Sequence, residues 1–284
     1  MKVKIAHIII GLVSIAAMSA CGGYNKIFKT TDNELKYKVA LSYFEKKDYG
    51  RATPLFEQLT VPFSNTKRDD TVHFYLAKGY WGQGDYYSGA YYLDNFCKTF
   101  GRSPFVEEAY YLRSLCYYHD SYRYELDQAN TIRAISSFNE MLTRYPDSPH
   151  KGEAEKYATE LTERMEEKSF YGAKLYYQID DYRSAVVALR NSVNDYPDSK
   201  FKEEGMFLIL KSSYLYAKYS IRIRQKERYI AAIDEYYNFA SEFPQSRYTK
   251  EAESMYKDAL QYVEKNKTAE ELLLEKQETQ PLDK

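Results

Sequence analysis

The chain has 284 residues, with 40 basic and 41 acidic side chains and a formal net charge of −1. Nucleic-acid-binding domains normally carry a basic excess, so this balance argues against such a partner. The length exceeds that of most compact domains. A repeat array can be this long, because each of its units packs only on its neighbours. Tyrosine is abundant, with 32 residues, and its ring can pack at one end and hydrogen-bond at the other.

Residues 1–20 have the pattern of a secretory signal peptide. Two lysines precede an apolar run over residues 5–17, and this run is shorter than the roughly 20 residues of a spanning helix. The tetrad Met18-Ser19-Ala20-Cys21 resembles a bacterial lipobox, which predicts acylation of Cys21 at the mature N-terminus. Ordinary cleavage or an uncleaved anchor is the alternative. Residues 21–33 are then expected to form the lipidated cysteine and a flexible tether.

Residues 34–265 contain five copies of a helical-hairpin pattern. In each copy a small residue is followed four positions later by a large one, and a turn ends the second helix. Four of these turns contain proline, which cannot continue a helix, and in the remaining one Gly101 takes its place. The turn serine can cap the next helix. The turns are Val61-Pro62-Phe63-Ser64, Phe100-Gly101-Arg102-Ser103, Tyr145-Pro146-Asp147-Ser148, Tyr196-Pro197-Asp198-Ser199 and Phe243-Pro244-Gln245-Ser246. The small residues are Ala52, Gly89, Ala134, Ala185 and Ala232.

The first helix of four copies carries a small residue and, three positions later, a tyrosine. Together these patterns predict an all-α fold, a tetratricopeptide-type helical-hairpin solenoid of about five repeats. The register of the fifth repeat stays open, because Lys211 stands where a small residue belongs. Residues 266–284 are charged and contain Pro281, which predicts a disordered tail.

Catalytic chemistry is not indicated. After the signal peptide only His73, His119 and His150 remain, without metal-ligand spacing, and there is no glycine-rich phosphate loop. We therefore expect no enzyme activity, no metal and no cofactor. Cys97 and Cys116 fall on consecutive predicted helices, and either a disulfide or two buried thiols fits the sequence.

A row of aromatic residues recurs on the first helices. These residues lie three positions before and four positions after the small residue of each first helix. At these positions the rings could line a groove for an extended peptide. The alternative is packing between successive helices. The eight residues are Tyr37, Phe44, Phe74, Trp81, Tyr111, Tyr118, Phe170 and Tyr177.

A basic run at the turn of the last predicted hairpin forms the second candidate site. It holds five basic side chains, with Glu227 as its acidic member. Either a solvated helix face or a docking surface for an acidic partner domain fits this run. The basic residues are Lys218, Arg222, Arg224, Lys226 and Arg228.

The chain resembles the BamD-type family of outer-membrane protein assembly lipoproteins. The resemblance is carried by Cys21, by the turns Arg144-Tyr145-Pro146-Asp147-Ser148 and Asp195-Tyr196-Pro197-Asp198-Ser199, and by the stretch from Gln225 to Pro244. It implies a scaffold on the periplasmic side of the outer membrane. Expected partners are periplasmic domains of the β-barrel insertase, bound by the C-terminal repeats, and unfolded client segments, bound by the N-terminal repeats.

Two other functions share these features. One is a tetratricopeptide adaptor that serves another process of the cell envelope. The other is a glycan-binding lipoprotein, because aromatic rings also stack on sugars.

Overall fold

The computed structural model describes residues 23–267. The predicted signal peptide (1–20), the lipidation site Cys21 and residues 268–284 of the predicted tail lie outside this range. Within it the chain is helical and contains no strand, which confirms the predicted fold class. The helices are α1 (23–29), α2 (Asn33–Glu45), α3 (Tyr49–Leu59), α4 (Asp69–Gln83), α5 (Tyr86–Thr99), α6 (Val106–His119), α7 (Ala129–Arg144), α8 (Lys151–Gln178), α9 (Tyr182–Asp195), α10 (Lys202–Lys218), α11 (Arg222–Glu242) and α12 (Thr249–Lys265).

The helices form two compact units, which divide between Thr162 and Glu163. In the first unit consecutive helices from α2 to α7 pack on each other, and in the second unit consecutive helices from α9 to α12 do the same. Helix α8 contributes to both cores. Its residues Ala154 and Leu161 belong to the core of the first unit, and Phe170 belongs to the core of the second.

The predicted small residues lie where helices approach each other. Ala52, Ala134 and Ala185 are fully buried. At Gly89 an added Cβ would come within 3.1 Å of the Cys116 sulfur, so only a very small residue fits without a shift. The large residues one turn later fill the adjacent space, since Phe56, Leu93, Phe138 and Leu189 are each fully buried.

Aspartates begin the second helices of three hairpins. The carboxylates of Asp48, Asp85 and Asp181 accept hydrogen bonds from backbone N–H groups three residues later, at 3.3, 3.1 and 3.2 Å. Such N-caps satisfy backbone donors that the helix itself leaves unpaired.

The start of the described chain differs from the predicted tether. Residues 23–29 form α1, and the Tyr24 ring lies 5.8 Å from the Tyr43 ring. The Tyr24 hydroxyl also donates to the carbonyl oxygen of Arg51 at 3.3 Å. The tether prediction is wrong for this stretch, because Tyr24 and Ile27 pack against the buried core that contains Ala40 and Phe56.

Cys97 and Cys116 are buried free thiols, so the disulfide alternative is excluded. Burial raises the pKa of each thiol to about 12, which keeps both protonated at neutral pH. Among residues 23–267, no helix is long and apolar enough to cross a membrane.

Candidate partner-docking surface

Three rings of the predicted groove are core residues. Phe74, Tyr111 and Phe170 expose 1%, 7% and 2% of their surface. Each stacks nearly parallel on a ring at the start of the next first helix. The ring centroids are 4.7 Å apart for Phe74 and Phe105, 4.1 Å for Tyr111 and His150, and 4.7 Å for Phe170 and Phe201. The groove prediction is wrong for these three residues, because ring stacking between repeats buries the faces that a ligand would need.

The turn serine positions the second ring of each pair. Its hydroxyl oxygen accepts a hydrogen bond from the backbone N–H of the residue two positions later, which carries that ring. This contact measures 3.3 Å from Phe105 to Ser103, 3.2 Å from His150 to Ser148, 3.2 Å from Phe201 to Ser199 and 3.0 Å from Tyr248 to Ser246. A ring-bearing residue recurs two positions after the turn serine in the sequence, and this recurrence was the signal from which the stacking could have been predicted.

The same stacking resolves the register of the fifth repeat. Phe207 stacks on Tyr248 at 4.2 Å between ring centroids, so Leu210 occupies the small-residue position. Lys211 then occupies the same repeat position as Lys78 and Lys174, directly after the small-residue position. Each of these lysines pairs with a glutamate of the next first helix, at Nζ–Oε1 distances of 2.6 Å to Glu108, 2.6 Å to Glu204 and 2.7 Å to Glu251.

The other five rings of the predicted groove are half-buried and also contact neighbouring helices. The Tyr118 hydroxyl donates to Glu160 at 3.0 Å, and the Lys211 ammonium lies 5.8 Å from the centre of the Tyr177 ring. Trp81 differs in one respect, because its indole N–H is buried without a hydrogen-bond partner in the described part of the chain. The rings are Tyr37, Phe44, Trp81, Tyr118 and Tyr177.

The predicted basic run lies at an exposed helix connection. It begins at Lys218, the last residue of α10, continues through the turn 219–221, and extends over the first two turns of α11 to Arg228. Lys218, Arg222 and Arg224 are exposed, and Arg224 pairs with Glu227 at 3.1 Å. We call residues 218–228 the basic connection.

Apolar side chains stand between these charges. Tyr219, Ile221 and Ile223 expose 70%, 70% and 84% of their surface. Apolar side chains this exposed gain little from folding, and a tyrosine and two isoleucines within five positions form a local apolar patch. A basic rim around such a patch is the composition of a protein-docking surface.

The basic connection has an ordered inner side. The Arg228 guanidinium lies 3.9 Å above the Tyr216 ring and donates to the Ser220 hydroxyl. An open cavity of about 680 Å³ adjoins it, and Arg183 and Ile221 are among its lining residues. The run is therefore a structured edge of the second unit, although the sequence left open whether it was only a solvated helix face.

The two acidic residues that line this cavity accept hydrogen bonds from nearby residues of the same chain. Asp180 accepts a hydrogen bond from the Tyr182 hydroxyl at 2.6 Å, which raises the pKa of Tyr182 to about 12. Asp181 caps α9, and its hydrogen bonds to Ser184 hold the pKa of its carboxyl below the ordinary value.

The fold defines a helical-hairpin repeat protein. Within residues 23–267, no group of three or more histidine, cysteine, aspartate or glutamate side chains is placed to hold a metal ion.

Comparison with known proteins identifies the family. The sequence matches the YfiO family, described as outer membrane lipoprotein, over residues 29–218 and 173–268. The chain belongs to this family. It is 21% identical over 209 residues to outer membrane protein assembly factor BamD of Neisseria meningitidis serogroup B, covering 68% of this chain and 78% of that protein. It is 20% identical over 209 residues to the protein of the same name from Caulobacter vibrioides, covering 69% and 66%.

Proposed function

We propose that this protein is a scaffold of the machinery that assembles outer-membrane proteins, and that it does not act as an enzyme. Its membership of the outer membrane lipoprotein family and its relatives' name, assembly factor, support this role. Acylated Cys21 would anchor it to the membrane on the periplasmic side. The anchor would be firm, since each buried methylene of a lipid adds about 0.8 kcal/mol of membrane affinity. The proposed partner is a periplasmic domain of the barrel insertase.

The observation that carries this proposal is the basic connection. Three exposed apolar side chains lie among five basic ones. An acidic partner domain would be steered there by charge and held by burial of Tyr219, Ile221 and Ile223. Because rim charges act mainly on the association rate, the interaction should weaken at high salt.

The test is isolation of the lipidated protein from membranes together with its native partners. Co-isolation of a barrel insertase is expected, and the double variant Arg222→Glu, Arg224→Glu should lose most of it. The matched control is Lys200→Glu, Lys250→Glu, which reverses two charges of the same unit close to the starts of α10 and α12. Isolation of a division or transport complex instead would identify another envelope adaptor and refute the proposal.

A second binding site, for unfolded client segments, is favoured by Trp81. An unpaired buried N–H costs about 1–3 kcal/mol, which a ligand carbonyl would recover if a shift of the indole opened the N–H to it. Trp81 belongs to the first unit together with Tyr37, Phe44 and Tyr118, all of them half-buried. We propose that the accessible edges of these four rings contact client peptides.

Trp81→Phe tests this site, because it keeps an aromatic ring and removes the N–H together with part of the indole ring. Binding of outer-membrane client peptides should weaken about three- to tenfold, the equivalent of roughly 1 kcal/mol. Tyr87→Phe, at an 83% exposed position of the same unit, is the control. Unchanged affinity in a folded Trp81→Phe variant would show that the rings only pack the repeats.

A further inference from the structure

The chain leaves its last helix directly beside the basic connection. The Tyr262 hydroxyl, in the last turn of α12, donates to the Gln225 side-chain oxygen at 2.7 Å. The Gln225 amide in turn donates to the carbonyl oxygen of Lys218 at 2.9 Å. The Tyr229 and Tyr262 rings lie 4.7 Å apart. Residues after Lys265 therefore start within a few residues' length of Arg222 and Ile223.

The segment that follows has the opposite charge. Residues 268–284 contain five acidic side chains and two lysines, so their side chains carry a net charge of −3. The basic connection contains five basic side chains and Glu227. The acidic residues of the segment are Glu270, Glu271, Glu275, Glu278 and Asp283.

The apolar residues of the two segments match as well. Leu272, Leu273 and Leu274 form an uninterrupted run between Glu271 and Glu275. On the basic connection, Ile221 and Ile223 alternate with the exposed Arg222 and Arg224. Leucines laid on these isoleucines would remove apolar surface from water while carboxylates approach guanidinium groups.

The length of the segment allows this contact. Leu272 is seven residues beyond Lys265, which spans about 25 Å when extended and about 10 Å as a helix. Gln225 is only two residues from Ile223, about 3 Å of helix rise. A tethered segment this close has a high effective concentration, so even a weak contact would be well populated.

We propose that the acidic, leucine-containing segment 270–278 docks on the basic connection of its own chain. The docked segment covers Ile221 and Ile223 and pairs its carboxylates with Arg222 and Arg224. It competes with an acidic partner domain for the same surface. This competition rests on the proposed function, whereas the docking itself does not.

Fluorescence anisotropy of the full mature chain tests the docking. A Cys21→Ser, Thr279→Cys variant carries a fluorophore at residue 279, since Cys97 and Cys116 are buried and remain unlabelled. The segment should report high anisotropy at low salt. About 1 M NaCl, where the Debye length falls to roughly 3 Å, should lower it, as should Arg222→Glu, Arg224→Glu. The control variant Lys200→Glu, Lys250→Glu should leave it unchanged.

A charge swap makes the test specific to this contact. Glu270→Lys, Glu271→Lys alone should also release the segment, and its combination with Arg222→Glu, Arg224→Glu should restore the anisotropy. Low anisotropy in the parent chain, or high anisotropy that survives the arginine reversal, would overturn the proposal. Because no partner is present, a normal result here with no insertase in the membrane isolation would refute the proposed function and leave the docking intact.

Discussion

Ring stacking between repeats can be measured in the first unit. Phe74 and Phe105 stack at 4.7 Å with an interplanar angle of 9°, and Phe74 is 1% exposed. Replacement by leucine keeps most of the apolar volume, which costs less than about 1.5 kcal/mol, and loses a stacking contribution of about 0.5–1.5 kcal/mol. We therefore expect Phe74→Leu to lower the free energy of unfolding by roughly 1–3 kcal/mol.

The double variant isolates the stacking itself. Phe74→Leu with Phe105→Leu should be less destabilised than the sum of the single variants, by about 0.5–1.5 kcal/mol. Trp81 is the only tryptophan of the chain and packs against the same core cluster, so its fluorescence reports urea unfolding of this unit. Tyr87→Leu, at an 83% exposed position, should change stability by no more than about 0.5 kcal/mol. A coupling energy below about 0.3 kcal/mol would refute the argument.

Two further predictions concern the anchor and a buried charge. Cys21→Ala should accumulate as uncleaved precursor or leave the outer-membrane fraction, and normal processing with unchanged fractionation would contradict the lipobox. Arg113→Met should lower the free energy of unfolding by about 1–3 kcal/mol at neutral pH, because the Arg113 side chain is 8% exposed and pairs with Asp94 at 3.2 Å and Glu140 at 2.6 Å. Burial raises the pKa of Glu140, but Arg113 outweighs this and holds it below its ordinary value of 4.5. The Arg113–Glu140 pair therefore contributes its full stability above the ordinary pKa of Glu140, and this stability is lost as the pH falls through the lowered pKa. The acid unfolding curves of the parent protein and Arg113→Met should converge there.

The repeat architecture was predictable because its determinants are local. The buried Ala52, Ala134 and Ala185 and the turns after them recur along the chain, and helix contacts then follow in chain order. The fate of the aromatic row was not predictable in the same way. Phe74 is buried by a ring some thirty residues further on, so its environment depends on how successive hairpins pack.

The basic connection shows the converse case. Its residues were identified from charge alone, but charge did not distinguish a solvated helix face from a docking surface. The proposal of a docking surface depends on Ile221 and Ile223 being exposed among the basic side chains. Whether an aliphatic residue is buried is decided by the elements packed around it, which periodicity within one helix does not reveal.

The packing of α1 has a consequence for how the protein reaches its partners. With Cys21 acylated as proposed, only Gly22 separates the lipid-bearing residue from Gly23 of α1, a span of at most about 7 Å. A flexible tether of a dozen residues would let the first repeat rotate at a distance from the bilayer. Because Tyr24 fixes α1 to that repeat, its rotational freedom at the membrane surface is restricted. Partners in the same membrane would then meet the first repeat in a narrow range of orientations, which lowers the entropy cost of binding.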